Sequence, residues 1–262
     1  MRIVRFTPGP DAGLGQDPLF GVLEDDATIS IISGDPIYSG IQKSAAKIEL
    51  NKVRLLAPII PRSKVVCVGK NYADHAAEMG GVVPDEPIIF LKPNTSVIGP
   101  NDTIVWPEMS ERIDHEAELA IVIGRICKDV PVERVNDVIF GYTIANDVTA
   151  RDLQKKDGQW TRAKGFDTFC PIGPWVDTDF VPGTQKITAT IAGEVKQSAQ
   201  ISDMIFDVPT IVNFVSRVMT LLPGDIILTG TPAGIGPMVA GEKATMAIEG
   251  LGELTNKVSA QS

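Results

Sequence analysis

HEAELAIVIG, residues 115–124, places two glutamates, Glu116 and Glu118, inside an otherwise apolar run. Alternate side chains of a β-strand point to the same face, so the two carboxylates share a face. Ala120 and Val122 continue that face, which indicates that it is buried. Two buried carboxylates repel each other and are costly to desolvate, and a bound cation relieves both penalties. The segment therefore predicts a buried strand that carries a metal site.

A third acidic residue, Asp147, follows the apolar segment VIFGYTIAN, where a strand is expected to give way to a helix. Ligation by the oxygens of Glu116, Glu118 and Asp147 favours a hard divalent ion, Mg²⁺ or Mn²⁺. A Glu-x-Glu pair on the solvated face of a strand is the alternative. His115 points to the opposite face of the same strand, and we interpret it as structural.

The composition limits the classes of function that the chain can have. With 24 Lys and Arg against 33 Asp and Glu, the 262 residues carry a formal net charge of −9. Nucleic acid is not an expected partner, because phosphate binding requires a positive surface. No apolar run reaches the length of a membrane span, and the N-terminus lacks the apolar core of a signal peptide. Three widely spaced cysteines fit neither a disulfide framework nor a zinc site, which is typical of a cytoplasmic protein.

Short β-branched segments separated by Gly, Pro, Asn and Asp turns dominate the chain, which predicts an α+β fold in which strands prevail. The order does not alternate as a doubly wound sheet requires. A Pro-punctuated connector at 57–63 divides a small accessory β domain, residues 1–57, from a larger domain, residues 58–262. Helices are expected at residues 71–79, 132–138, 149–157 and 207–221.

Arg151 and Gln154 follow Asp147 in the segment NDVTARDLQ. If this segment is helical, the three residues occupy positions i, i+4 and i+7 and form one stripe. Arginine grips a carboxylate through two parallel hydrogen bonds, so the stripe would suit a carboxylated substrate. An Asp–Arg pair on a helix surface is the alternative.

His75 and Glu78 lie three residues apart in NYADHAAEMGG, which places them on one face of a helix. A carboxylate beside an imidazole orients the ring and makes it a better base. The glycines at the end of this segment suggest a short mobile element of the kind that lids require. An incidental histidine on a surface helix is the alternative.

Two further residues lie in Gly- and Pro-rich segments. Lys164 is surrounded by mostly apolar residues in TRAKGFDTFCPIGPW, where its ammonium group is either aimed into a pocket or extended to solvent. Thr231 belongs to TGTPAGIG, which lacks the GK[ST] ending of a phosphate loop. Its hydroxyl and the N–H groups of the loop could bind a carboxylate, and a plain tight turn fits equally well.

Six motifs in succession resemble the fumarylacetoacetate hydrolase family. The resemblance extends from about residue 55 to about residue 258, and the residues before it resemble the small accessory β domain of many bacterial members. In chain order the motifs are VGKNYADHAAE at 68–78, PIIFLKPNTSVIG at 87–99, DHEAELAIVIG at 114–124, GYTIANDVTARDLQ at 141–154, RAKGFDTFCPIGPW at 162–175 and LLPGDIILTGTPAGIG at 221–236.

The resemblance implies a mixed β-sandwich or roll around a central metal site, in a protein that forms a homodimer. It gives a role to each of the residues singled out above. Glu116, Glu118 and Asp147 match the ligands of Mg²⁺ or Mn²⁺, His75 and Glu78 the water-activating pair on a lid helix, Lys164 the lysine beside the developing negative charge, and Arg151, Gln154 and Thr231 the contacts to the carboxylate end of the substrate.

The resemblance also implies the substrate class, a 2-keto or 2-hydroxydienoic dicarboxylic acid or an acylpyruvate, whose enolate a divalent ion stabilises. The His75–Glu78 pair favours hydrolysis of a C–C bond in an acylpyruvate, or decarboxylation of oxaloacetate. Isomerisation of 2-hydroxyhepta-2,4-diene-1,7-dioate in aromatic catabolism is the alternative. Outside enzymology, the alternative is a metal-stabilised domain that binds keto acids without turnover.

Overall fold

Strands are the main regular structure of the protein, as its β-branched segments predict. The computed structural model describes residues 1–78 and 80–261, and within them the strands form three sheets. The prediction of a strand-dominated α+β fold is confirmed. No helix in this part of the chain is both long and apolar enough to cross a bilayer.

In chain order the strands are β1 (Arg2–Pro8), β2 (Leu19–Leu23), β3 (Thr28–Ile32), β4 (Lys43–Glu49), β5 (Val53–Leu56), β6 (Val65–Gly69), β7 (Ile88–Lys92), β8 (Val97–Ile98), β9 (Thr103–Trp106), β10 (Ile113–His115), β11 (Ala117–Ile123), β12 (Ile139–Asn146), β13 (Thr149–Ala150), β14 (Cys170–Asp177), β15 (Lys186–Ile191), β16 (Glu194–Gln200), β17 (Ile226–Leu228), β18 (Gly236–Pro237), β19 (Lys243–Ile248) and β20 (Gly252–Gln261). The largest sheet has the order β4-β3-β2-β1-β14-β12-β11-β17-β6-β7, with β5 paired to β1 and β8 to β14. A second sheet has the order β16-β15-β19-β20-β9, and a small third one the order β13-β10-β18.

The helices are short and lie outside the sheets. They are α1 (Pro36–Ser39), α2 (Ala73–Glu78), α3 (Arg151–Asp157), α4 (Thr161–Gly165) and α5 (Val208–Val218). Three of the four predicted helices are present in shortened form, and residue 79 of the first lies outside the described residues. The fourth, predicted at 132–138, is a 3-10 helix at Val132–Asp137. The predicted helix at 149–157 begins only at Arg151, because the two residues before it pair as β13.

The main core lies where the largest sheet faces the five-stranded sheet. Leu119 and Ile121 of β11 belong to one buried cluster with Ile187 of β15 and Met246 of β19. Alternation along these strands directs one set of side chains into this layer. The other face of β11, with Ala120 and Val122, is buried in a second apolar cluster, which confirms that the acidic strand is covered on both faces.

The first strands of the chain extend the same sheet that carries the acidic segment. Strand β1 pairs antiparallel with β14 at Arg2↔Asp177 and Ile3↔Val176. A separate apolar cluster, which includes Val4, Phe6 and Ile29, covers this end of the sheet. The division of the chain into domains at residue 57 stays a prediction.

Sheet topology brings four loops to one edge of the largest sheet, namely the edge that is formed by the ends of its strands. Strands β6 and β17 are parallel neighbours, so the segments that follow Gly69 and Leu228 leave the sheet at the same edge. Strand β11 is antiparallel to β17 and to β12, so its beginning and the end of β12 lie at that edge as well. This edge holds the acidic residues.

Candidate metal centre

Three buried carboxylates converge at this edge of the sheet. Suitable oxygens of Glu116, Glu118 and Asp147 lie within 4.8 Å of one another. The backbone fixes the arrangement, because the Asp147 N–H donates to the Glu116 carbonyl at 2.9 Å. The Glu116 N–H in turn donates to Asn146 Oδ1 at 3.0 Å. The predicted acidic residues do come together, although Glu116 lies at the break between β10 and β11 and not within one continuous strand as expected.

Lys164 lies between two of the carboxylates. Its Nζ donates to Glu116 Oε2 at 2.8 Å and to Asp147 Oδ2 at 2.6 Å. The residue lies on the short helix α4, not in the loop that the sequence suggested. Although burial disfavours its charge, the carboxylates of Asp147 and Glu116 raise the pKa of Lys164 above its ordinary value, so the ammonium group stays protonated.

Lys92, which the sequence did not single out, is a second cation beside Asp147. Its fully buried Nζ donates to Asp147 Oδ1 at 2.5 Å and to the Val148 carbonyl at 3.1 Å. The two lysines thus hold both oxygens of one carboxylate. A lysine at the end of the apolar segment PIIFLK was the available signal, since an isolated lysine in a buried strand needs a partner.

We expect Lys92→Met to lower the free energy of unfolding of the metal-free protein by about 3–5 kcal/mol, because it breaks a buried ion pair from one side. Urea denaturation in EDTA measures the loss, with exposed Lys156→Met as the matched control. Equal stability of the two variants would show that the Lys92–Asp147 pair contributes nothing.

Arg151 uses its guanidinium to organise neighbouring side chains. Its Nε donates to Asp114 Oδ2 at 2.9 Å, its Nη2 to Glu116 Oε1 at 2.5 Å and its Nη1 to Gln154 Oε1 at 2.7 Å. Asp147 precedes helix α3, so the predicted helical stripe of Asp147, Arg151 and Gln154 is wrong. The three residues still line the same cavity, because the chain turns between β12 and α3.

The acidic residues differ strongly in their ionisation. Burial opposes the charge of Glu116, but Lys164 and Arg151 outweigh it and hold the pKa of that carboxyl well below its usual range. Burial, followed by the charges of Asp147 and Glu116, raises the pKa of Glu118 well above its ordinary value. The Gly230 N–H donates to Glu118 Oε2 at 2.6 Å. Within the described residues, Glu118 forms no ion pair, and Lys164 offsets only part of the cost of its charge. A divalent ion would resolve this situation.

His75 and Glu78 lie on helix α2 above the carboxylates. His75 Nδ1 is 3.2 Å from Glu78 Oε2, and His75 is buried. The Gly234 N–H donates to Glu78 Oε1 at 3.2 Å, which ties the helix to the segment after β17. The Asn71 side chain, just before α2, donates hydrogen bonds to the carbonyls of Phe206 and Thr229 and so holds the start of the helix in place.

Thr231 lies on the opposite side of the carboxylates. Its hydroxyl donates to the Ala117 carbonyl at 2.9 Å and accepts from Gln197 Nε2 at 2.8 Å. These bonds fix the segment after β17 against the beginning of β11. The hydroxyl therefore has a structural task in addition to any contact with a ligand.

A small cavity of about 30 Å³ opens above the acidic residues. Its apolar wall includes Phe90 and Trp160, whose rings meet edge to face at a centroid distance of 5.1 Å. It is lined by eight of the nine site residues expected from the sequence: His75, Glu116, Glu118, Asp147, Arg151, Gln154, Lys164 and Thr231. The ninth, Glu78, reaches it through His75. The lining combines charged, polar and aromatic side chains, which suits a small polar ligand better than an apolar one.

Two family models match the chain. The model described as fumarylacetoacetate (FAA) hydrolase C-terminal matches residues 64–259, and the one described as Rv2993c-like, N-terminal, matches residues 1–58. Protein Rv2993c of Mycobacterium tuberculosis is 60% identical over 228 residues, which are 86% of this chain and 84% of that protein. The mitochondrial oxaloacetate tautomerase Fahd2a of Rattus norvegicus is 43% identical over 219 residues, or 79% of this chain and 70% of that protein.

Solved structures show the same fold. A 2-hydroxyhepta-2,4-diene-1,7-dioate isomerase from Mycobacterium marinum is 48% identical, with a TM-score of 0.90 over 100% of this chain and 99% of that one. A maleylpyruvate hydrolase from Sphingobium sp. SYK-6, solved with manganese(II) and pyruvate, is 31% identical, with a TM-score of 0.82 over the whole of both chains. The fold class expected from the motifs is therefore confirmed.

Proposed function

The chain belongs to the fumarylacetoacetate hydrolase family of enzymes, as its six motifs predict, and from its site we propose that it is a divalent-metal-dependent enzyme acting on 2-keto dicarboxylic acids and their enol forms. The observation that carries the proposal is the group of three buried carboxylates, with the Lys164 ammonium between two of them and His75 above. Such a site can stabilise negative charge on one oxygen of a substrate and move a proton nearby.

The carboxylates of Glu116, Glu118 and Asp147 fit a hard divalent cation. Their ligand atoms are all oxygens, they are buried, and the charge of one of them, Glu118, is only partly offset by Lys164. We propose Mg²⁺ or Mn²⁺, and the manganese in the maleylpyruvate hydrolase relative supports this choice. When bound, the ion would supply Lewis-acid polarisation of a keto oxygen.

Binding of Mg²⁺ is expected to release protons, because the raised pKa of Glu118 favours its protonated form and a metal ligand must be deprotonated. The affinity for Mg²⁺ should therefore increase as the pH rises. Calorimetric titrations in buffers of different ionisation enthalpy measure the released proton. Heats that do not depend on the buffer would contradict this assignment of Glu118.

Lys164 provides the fixed positive charge of the proposed site. Its ammonium is buried, protonated and within hydrogen-bonding distance of two of the proposed metal ligands. It is therefore placed to stabilise negative charge that develops on a keto oxygen beside those ligands. The ring of Phe90, 5.0 Å from Nζ, adds an apolar wall that keeps this charge from being screened by water.

His75 is the proposed proton acceptor. Glu78 occupies its Nδ1, and the Gly234 N–H holds Glu78, so the imidazole is oriented from behind and Nε2 is left for the substrate side. From there it can take a proton from a water molecule or from the carbon next to the keto group. The first event leads to cleavage of a C–C bond, and the second to isomerisation or tautomerisation.

Arg151 and Gln154 complete the polar side of the proposed site. Because the Arg151 guanidinium already donates to Asp114, Glu116 and Gln154, we assign it a positioning role toward Glu116 and Gln154. Gln154 uses its oxygen for Arg151, which leaves its amide N–H groups for a substrate carboxylate. Direct contact of Arg151 and Thr231 with substrate stays a prediction.

Two outcomes of the same chemistry remain candidates for this chain. The oriented His75–Glu78 pair favours hydrolysis of acylpyruvates or decarboxylation of oxaloacetate. Relatives named as an oxaloacetate tautomerase and as a 2-hydroxyhepta-2,4-diene-1,7-dioate isomerase favour isomerisation of a dicarboxylic acid. All of these reactions pass through an enolate of a 2-keto acid.

The experiment that tests the proposal measures formation of the enolate, which all these reactions share, separately from the product that is formed. Exchange of the methyl protons of pyruvate in D₂O, followed by NMR with Mg²⁺ or with EDTA, reports enolate formation alone. Oxaloacetate, acetylpyruvate, fumarylpyruvate and 2-hydroxyhepta-2,4-diene-1,7-dioate then distinguish release of pyruvate, release of CO₂ and a shift of the double bond. Absence of metal-dependent exchange and of metal-dependent turnover on every compound would refute the proposal.

The assembly is proposed to be a homodimer, as the family resemblance implies. Strand β7 is an edge strand of the largest sheet, and its apolar side chains Ile88 and Leu91 are exposed. Such an edge is commonly covered by a neighbouring chain. The expected location in the cytoplasm likewise stays a prediction.

A further inference from the structure

Lys70 is a cation at the rim of the cavity that the proposed chemistry does not use. It directly follows β6, whose last residues Val68 and Gly69 line the cavity together with it. The residue is half-buried. Within residues 1–78 and 80–261, Lys70 takes part in no ion pair, in contrast to Lys164 and Arg151 of the same cavity.

The other cations beneath the cavity are already paired. Lys92, Arg151 and Lys164 each form ion pairs with buried carboxylates of this cluster. Arg112 is paired with Asp114 in the same cluster. A second carboxylate of a substrate therefore needs a cation from elsewhere, since an unpaired charge in a partly enclosed site is costly.

The backbone of Lys70 is in the left-handed region, with φ of +56°. This conformation is unfavourable for a residue with a Cβ atom other than Asn or Asp, and such residues gather at ligand sites. Glycine or asparagine would satisfy the turn better than lysine does. The turn alone therefore does not account for a lysine at this position.

The ammonium group of Lys70 extends beneath the segment that leaves the lid helix. A Cβ atom built on Gly81 would stand 2.6 Å from Lys70 Nζ. The Gly81 N–H donates to the Ala76 carbonyl at 3.0 Å, so this segment is fixed to helix α2. Lys70 thus lies between the cavity and the segment that covers it.

We propose that Lys70 binds the second carboxylate of a 2-keto dicarboxylic acid, and that this ion pair makes the enzyme prefer diacids over monoacids. The inference rests on the proposed function, because it takes the keto-acid end to be bound at the carboxylate cluster. It names Lys70 as the specificity-determining residue of the site.

The test compares pairs of 2-keto acids that differ only by a carboxylate in place of a terminal methyl group. Binding of 2-oxoglutarate and 2-oxopentanoate, and of 2-oxoadipate and 2-oxohexanoate, is measured by calorimetry in Mg²⁺. In at least one pair the native protein should bind the diacid about tenfold more tightly, as expected for one charge-assisted hydrogen bond in a partly open site. This preference should decrease with added salt.

Three variants of Lys70 and one control make the result specific. Lys70→Met and Lys70→Asn should remove the preference by weakening diacid binding about tenfold, while the affinities for monoacids and for Mg²⁺ stay unchanged. The asparagine variant suits the left-handed backbone, so its fold is expected to be at least as stable as that of the native protein. Lys70→Arg should retain the preference, and exposed Lys155→Met on α3 should behave as the native protein does.

The outcomes separate this inference from the proposed function. If the native protein binds diacids and monoacids equally well, or if Lys70→Met weakens both alike, Lys70 does not select the second carboxylate, although the proposed function survives. If the native protein binds none of the four acids in Mg²⁺, the keto-acid site itself is wrong and the inference fails with it.

Discussion

Replacement of His75 by alanine is expected to lower kcat by about 10²–10⁴-fold, the range lost when a positioned general base is removed. The fold and the affinity for Mg²⁺ should not change, because His75 contacts Glu78 and is not one of the three converging carboxylates. Thermal unfolding and calorimetry check both points. Metal-dependent exchange of pyruvate protons should decrease with turnover if His75 takes the proton from carbon.

Two other variants of helix α2 serve as the comparison. Glu78→Gln keeps the imidazole in place but weakens its orientation, so a smaller loss of about 10–100-fold is expected. Asp74→Ala, at an exposed position of the same helix, should have no effect. If the His75→Ala variant retains full turnover, the general base lies elsewhere and α2 serves only as a cover for the site.

Glu118→Gln should abolish metal-dependent activity, with a loss of about 10³-fold or more, since several kcal/mol of transition-state stabilisation depend on the ion. The metal-free variant, however, should be more stable than the native protein. Burial and the charges of Asp147 and Glu116 oppose ionisation of Glu118, and glutamine has the same shape without the charge. Its oxygen can still accept the hydrogen bond of the Gly230 N–H.

The sign of the pH dependence follows from the raised pKa of Glu118. Between its unfolded and folded pKa values the native state binds more protons than the unfolded chain, so the free energy of unfolding decreases as the pH rises. Glu118→Gln removes this decrease. In EDTA, the extra stability of the variant should therefore increase with pH.

Thermal unfolding with and without Mg²⁺ completes this test. At a concentration about 100 times its Kd, the ion should stabilise the native protein by about 2.7 kcal/mol and the variant hardly at all. Exposed Glu253→Gln on β20 is the control for a lost carboxylate. If Glu118→Gln retained the full stabilisation by Mg²⁺, the metal would have to be held without this carboxylate.

The acidic site could be predicted from the sequence because local rules govern it. Glu116 and Glu118 flank the first residue of the buried strand β11, and helical spacing puts His75 beside Glu78. Asp147 was expected for the right reason, the end of a buried strand. Its position relative to Arg151 was expected from helical spacing. That reason is wrong, because a turn and a short β-pairing lie between Asp147 and the helix.

The cations of the site could not be assigned from local rules. Lys92 is 55 residues from Asp147 in the chain, and three strands separate β7 from β12 in the sheet, so their contact depends on the complete fold. Lys70 was visible inside a motif, but its backbone conformation and its position at the rim depend on the turn after β6. Pairing across a sheet is a property of the whole topology, which composition and spacing do not contain.

The antiparallel contact between β1 and β14 has a consequence for any attempt to isolate the catalytic region. Removal of residues 1–57 would leave β14 without its partner strand β1 near Val176. Unpaired backbone groups would then lie next to apolar side chains. Such a fragment would recruit other copies of itself edge to edge and precipitate. Residues 1–57 thereby cover a strand edge that would otherwise favour aggregation.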